Sequence, residues 1–552
     1  MTDQVEPRDG ATFRLDIEPW VPVFGSGGSE VVSLRELLAR AHEFADLDPA
    51  LDPFQYAAIH GLVTAIISDV IGLDTDEDWE ELFEAGRFDA DTIGTYFDTD
   101  PAAWDLFDPV RPFMQVADLE PSKAGPRPVG SLMPEVAAGN NVPVFSVFTD
   151  ADAPAITFAE AGRRLLATHA FDTAGIKSAA VGDPAAVKGK TTGNKVGPLG
   201  QIGVILPVGR TLFETLMLGC VVGPRASGDA PAWRRMQSAE WETRPPDGLL
   251  DLLTWQARRI RLFPEETAEG WRVTGAFVAA GDRFPVHPRL EPRTAWWVPK
   301  EGDDAEQYRP MRHLQGRTGW QGMAALVSMG RSSGAKFVTS ELLAQAGRLM
   351  EEGTCLSFDY PLSAYLVGAV YGVQSAVMEA VVADSIPLPM QALAGEQGAP
   401  LRVVLNEVVA SAEAVRRALD GLANNLREAL GGERVPWDKG NHPGEILVSR
   451  LSGDATRLLR GLRGAPERGE EGLAAFGAVL QRTATEIGEE LSEKAYAVTM
   501  LGAGVLQKEA GVEKPAISPA RAEIFFKAAL RKALPYLPTG EHVQTKEDNN
   551  VR

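Results

Sequence analysis

The stretch GDPAAVKGKTTG, residues 182–193, carries the Gly-Lys-Thr with which a phosphate-gripping loop ends. Such a loop wraps phosphates with backbone N–H groups, and it needs four residues between its glycines and a helix that starts at the Lys-Thr. Here six residues separate Gly182 from Gly189, and the text that follows, TTGNKVGPLGQIG, is too rich in glycine for a helix. Nucleotide hydrolysis on Lys190 is therefore the weaker reading of this loop. The rest of the chain offers no other reaction centre. Its seven histidines, at 42, 60, 169, 287, 313, 442 and 542, form no HExxH and no cluster of metal spacing, and Cys220 and Cys355 are too far apart for a metal knuckle. There is no G-x-S-x-G nucleophile elbow, and the acids at 74–78 lack the ligand pattern and central glycine of a calcium loop. We expect no metal, no cofactor and no catalysis.

Charge separates the chain into regions. The formal charge is -22, which by itself argues against coating with nucleic acid. Acid is packed into residues 74–108, whereas 184–213 hold Lys188, Lys190, Lys195 and Arg210 with no Asp or Glu. A second acid-free stretch, 307–340, carries Arg309, Arg312, Arg317, Arg331 and Lys336. An acidic body with basic strips suits a short contact with a phosphate backbone. Two cysteines are too few for a disulfide framework, the opening MTDQVEPRDG has no apolar core, and no apolar run is long enough to span a bilayer. These features point to a cytoplasmic protein with no membrane partner.

At 552 residues, 44% apolar and 24% charged, the chain is folded and too long for one core. FRLDIEPWVPVFGSGGSEVVSLRELL predicts a hairpin and then a helix capped by Ser33 with Glu36 as its reciprocal partner. A helix is expected from Phe54, and from about 115 to 340 the Gly- and Pro-rich text predicts short strands and long loops. Leu401, Leu405, Val408, Ala412, Val415, Leu419, Leu422 and Leu426 recur at spacings of four and three, the face of a long helix. Further helices are expected over about 445–462, 473–501 and 519–534, the last with Ser518 as cap. The expected fold class is α+β: a mixed domain over 1–390, a linker at 391–400, a four-helix bundle over 401–538, and a disordered tail at 539–552.

Seven short motifs in order then resemble one family, the large subunit of the type I-E CRISPR Cascade complex, CasA. They are IEPWVPV (17–23), RPFMQ (111–115), GNNVPVFSV (139–147), TTGNKVGPLGQIGVILPVGRTLFETLML (191–218), LTWQ (253–256), FPVHP (284–288) and YGVQSA (371–376). The resemblance implies a non-catalytic subunit that docks with other Cascade subunits on a guide RNA. It implies that the chain reads a short motif in double-stranded target DNA and helps part the strands, with the displaced strand and a helicase-nuclease as further partners. Thr192, Gly193, Asn194 and Lys195 match the family's glycine loop for the minor groove, where edges offer little beyond A·T against G·C. Gln374 matches its strand-parting wedge, and Val144, Phe145 and Ser146 its docking and guide-contacting loop. Without the resemblance, the apolar run over 364–382 predicts a helix with Gln374 on its wetter side. Relatives place an assisting lysine near 274–280, where this chain has none, leaving Arg272 or Arg283 to replace it. Some relatives also carry a cysteine-rich zinc site before FPVHP, and this chain has no cysteine there. A purely structural scaffold is the remaining alternative.

Overall fold

The computed structural model describes residues 10–123, 125–136, 148–149, 153–299, 308–329, 336–353, 355–436, 439–440, 442–500 and 517–537. Strands Val21–Gly25 and Gly28–Val32 pair antiparallel, and Phe44–Leu47 joins the other edge of the first. Helix Leu34–Arg40 starts at Ser33, whose hydroxyl accepts the Glu36 N–H at 3.2 Å while the Glu36 carboxylate accepts the Ser33 N–H at 3.0 Å. Two orphan donors are thereby satisfied, which is why the helix begins there. Helix Pro53–Val70 is buried along most of its length, beside a core that includes Trp20, Trp79, Trp104, Phe54 and Phe171.

Chain contacts divide the protein into two units, residues 1–317 with 325–395, and residues 318–324 with 396–552. The first is mixed. Its strand Ser363–Tyr371 pairs with Val204–Val208 on one side and Met378–Pro387 on the other. A second sheet pairs the long strands Arg258–Thr267 and Gly270–Ala280, with Arg127–Pro128 at the edge. The apolar run over 364–382 is therefore a hairpin and not a helix. Valines and two tyrosines favour the extended backbone, and along Met378–Ser385 exposed and half-buried residues alternate with period two.

The second unit holds helices Ala399–Ala429, Pro443–Gly464, Gly469–Met500 and Pro519–Ala533 among its described residues. All eight residues of the periodic face from Leu401 to Leu426 are buried. Ser518 caps the last helix by accepting the Arg521 N–H at 3.3 Å. The division between the two units at 395/396 falls within the stretch 391–400 read as a linker, where Met390–Leu393 forms a 3-10 turn and the first long helix begins at Ala399. Residues 318–324 contribute a 3-10 turn, Gly319–Gly322, whose Trp320 meets Phe476 edge-on at 6.0 Å. The expected tail, 539–552, lies outside the described residues. Among them, no helix is long and apolar enough to cross a membrane.

Candidate nucleic-acid interface

Lys190 begins a strand, not a helix. Lys190–Asn194 pairs antiparallel with Gly175–Ser178, with Gly175 opposite Asn194 and Lys177 opposite Thr191. The phosphate-loop geometry is absent at this position, because no helix N-terminus follows Lys190 to face a phosphate. What forms instead is a two-stranded finger.

The finger is held from inside by side chains of its own sequence. Asn194 is buried, and its amide donates to the carbonyls of Gly175 at 2.8 Å and Thr191 at 2.9 Å. The buried Thr191 hydroxyl bonds Asp183, whose carboxylate also accepts the Trp241 indole N–H at 3.0 Å. Arg283 lies 3.8 Å above the Trp241 ring and donates to the Thr192 carbonyl at 3.1 Å and the Asn194 side-chain oxygen at 2.8 Å. Of the two arginines considered in place of the family's lysine, Arg283 touches the loop. Arg272 instead donates to the Trp271 carbonyl at 2.9 Å. Lys195 donates to the carbonyls of Phe284 at 2.8 Å and Pro285 at 3.1 Å, in the FPVHP turn. Thr192, Gly193 and Lys195 are exposed. Gly193 has φ +71, a left-handed backbone that disfavours any side chain, and a Cβ there would point 3.5 Å from the Arg283 guanidinium.

A part-buried ion cluster, with Arg258 at its buried end, anchors both legs of the finger. The Asp172 carboxylate receives Lys177 Nζ at 2.5 Å and Arg258 Nε at 2.5 Å. Burial alone would raise its pKa, but the two cations hold it down at about 2. The same Arg258 donates to the carbonyl of Thr173 at 3.0 Å, before the first strand, and of Lys195 at 2.8 Å, after the second.

Gln374 stands at the tip of the hairpin made by Ser363–Tyr371 and Met378–Pro387. Gln374 and Ser375 have φ of 56 and 54, and Gln374 is exposed. The tip is tied to the finger. The Ala174 N–H donates to the Ser375 carbonyl at 2.9 Å, and Ala376 packs against Gly175. One turn back, the Tyr371 hydroxyl donates to the Phe171 carbonyl at 2.6 Å. Gly200 lies so close to that hydroxyl that a Cβ would collide with it. Thr192, Gly193, Lys195 and Gln374, exposed and separated by nearly 180 residues in sequence, thus belong to one connected surface feature, whereas Asn194, expected with them, is buried and holds the finger from inside. Val144, Phe145 and Ser146 lie outside the described residues.

This arrangement of a glycine finger braced against a hairpin tip sits in a chain whose residues 15–487 match the family model of the CRISPR-associated protein Cse1. The chain belongs to the Cse1 family. A CasA/Cse1 protein of Thermus thermophilus is 30% identical over 435 residues, 76% of this chain and 79% of that one. The crystal structure of Thermobifida fusca Cse1 superposes with a TM-score of 0.81 at 30% identity, covering 96% of this chain and 99% of that one. A chain from a CRISPR RNA-guided surveillance complex shares the fold at a TM-score of 0.69 and 21% identity, over 88% of this chain and 100% of that one.

Sequence reasoning missed the parts that give the feature its rigidity: Asp172, Lys177, Arg258, Trp241 and Tyr371. Tyr371 opens the YGVQSA motif, and its polar hydroxyl in an apolar run was the available signal. The basic strips are also partly engaged in contacts within the protein at its surface. Arg210 pairs with Glu214 at 2.7 Å, and Arg312 donates to the Gln201 carbonyl at 2.9 Å. Among the described residues, no three His, Cys, Asp or Glu are grouped to hold a metal.

Proposed function

We propose that this chain is the large, non-catalytic subunit of a type I-E RNA-guided surveillance complex. It docks beside the guide RNA and other subunits, reads the short motif flanking the target in duplex DNA, and starts strand separation for R-loop formation. A helicase-nuclease is then recruited to the opened target. The observation that carries the reading is the hydrogen bond from Ala174 N–H to the Ser375 carbonyl, which braces the finger bearing Gly193 against the tip bearing Gln374.

The chemistry of each part suits its step. The minor groove distinguishes little beyond A·T and G·C, so a reader there works through closely approaching backbone with a cation nearby. Gly193 presents bare backbone, and Arg283 and Lys195 supply charge at its flanks. Arg283 is already stacked and hydrogen-bonded, so little freedom is lost when DNA arrives. Gln374, projecting from a braced turn, offers both a donor and an acceptor to bases that have lost their partners. Val144, Phe145 and Ser146 are assigned to guide and subunit contact on the family resemblance.

The two elements act at different steps, and that separates them experimentally. In the assembled complex, Gly193→Val blocks close approach and weakens capture of every target that bears the motif. Gln374→Ala leaves capture intact and slows opening of a fully paired target, while a target with a pre-melted bubble beside the motif opens at the parent rate. R-loop formation by both variants on both duplexes decides the assignment. Rescue of both variants by the bubble, or of neither, overturns it.

A further inference from the structure

We infer that Val373 forms the apolar face of the wedge and covers the end of the base stack as the first pair opens. The inference rests on the proposed function and adds a second side chain, with different chemistry, to the parting of strands.

Val373 is 84% exposed. A single exposed valine is ordinary on a protein surface, but this one stands at the point of a turn whose backbone is held in place. The next two residues, Gln374 and Ser375, both take positive φ, a conformation that L side chains adopt at a cost. The turn is fastened on either side of its point. Gly372 N–H donates to the Val377 carbonyl at 2.9 Å, and the Ser375 carbonyl accepts the Ala174 N–H at 2.9 Å. The result is a fixed loop that places an apolar and an amide side chain next to each other in solvent. Ile176, on the finger strand beside the tip, is also 63% exposed. Both side chains thus stand on the two elements that the Ala174–Ser375 hydrogen bond joins.

The partner that fits this pair is the end of an opened duplex. Parting one pair exposes a flat apolar base face and two unsatisfied hydrogen-bonding edges. Valine can cover the face, replacing part of the lost stacking, and glutamine can satisfy an edge. Apolar side chains inserted at base steps are a general way for proteins to hold unstacked DNA. The opening step therefore depends on Val373 as well as on Gln374, and the two contributions differ in kind.

The test uses the complete complex with guide RNA and a target carrying 2-aminopurine at the first pair beside the motif. Val373→Ser is expected to slow opening of the paired target about tenfold, a contact of the size expected for losing an apolar cover at one base step. Capture of motif-bearing duplex, opening of the bubbled target and thermal melting stay at parent values, and Val373→Leu opens the paired target at close to the parent rate. Parent-like opening by Val373→Ser alongside slow opening by Gln374→Ala overturns the inference and leaves the proposed function standing. So does equal slowing of paired and bubbled targets. If Gly193→Val and Gln374→Ala both behave as the parent, the proposed function itself has failed.

Discussion

Replacing Arg258 by methionine isolates the anchor of the finger. Methionine keeps an apolar stem of similar length but removes every donor. The change deprives Asp172 of a partner at 2.5 Å and the carbonyls of Ala257, Thr173 and Lys195 of donors at 2.7, 3.0 and 2.8 Å. Removing one member of a buried ion pair costs about 3–5 kcal/mol. Lys177 remains 2.5 Å from Asp172 and continues to compensate its charge, so the lower end applies, about 3 kcal/mol. That is a large share of a typical folding free energy but leaves the protein folded. Urea unfolding of the full chain, followed by tryptophan fluorescence, should show the loss as a shifted midpoint with an unchanged slope. A variant as stable as the parent would refute the anchoring role.

Three other outcomes follow from the same reasoning. Leu419→Asp, at a fully buried position of the long helix Ala399–Ala429, should cost about 4 kcal/mol from lost packing and an unpaired charge, read as a lower melting temperature. Lys190→Ala should leave ATP turnover at background for both proteins, since Lys190 lies in a strand; a turnover that this change abolishes would restore the hydrolase reading. Acid should destabilise the first unit. Burial holds His60 at about 3 and His169 and His287 at about 4, against an ordinary 6.5. Between these values the unfolded chain binds more protons than the folded one, so stability falls as pH drops from 6.5 towards 4. Asp46, pushed up to about 6 by burial, acts in the opposite direction below pH 6 and offsets about one histidine. The net slope is about 3 kcal/mol per pH unit below 6, measurable as urea midpoints at pH 7.5, 6 and 5.

The helical face from Leu401 to Leu426 and the Ser33 cap were legible because each depends on spacing within a few turns. The hairpin at 363–387 was harder to read. A long apolar run satisfies both a helix and a strand, and the tie that decides between them is pairing with Val204–Val208, far off in sequence. Composition marked 391–400, within which the two units divide, but not the burial of Met390, Ala392, Leu393 and Ala394, which depends on residues far off in sequence. For the site, the motif residues themselves were visible in order along the chain. Their bracing was not, because it runs through Arg258 to Lys195 and Tyr371 to Phe171, contacts that no local pattern encodes.

What the finger and the tip touch is the most direct question to put to the protein. A photo-crosslinking phenylalanine analogue placed at Thr192, and separately at Gln374, is irradiated in the assembled complex bound to a target of mapped sequence. If the finger reads the motif and the tip parts the strands, position 192 crosslinks to the motif pairs and position 374 to the first target pairs beyond them. Crosslinks from both positions to partner subunits alone, with none to DNA, would contradict this and leave a structural scaffold in its place.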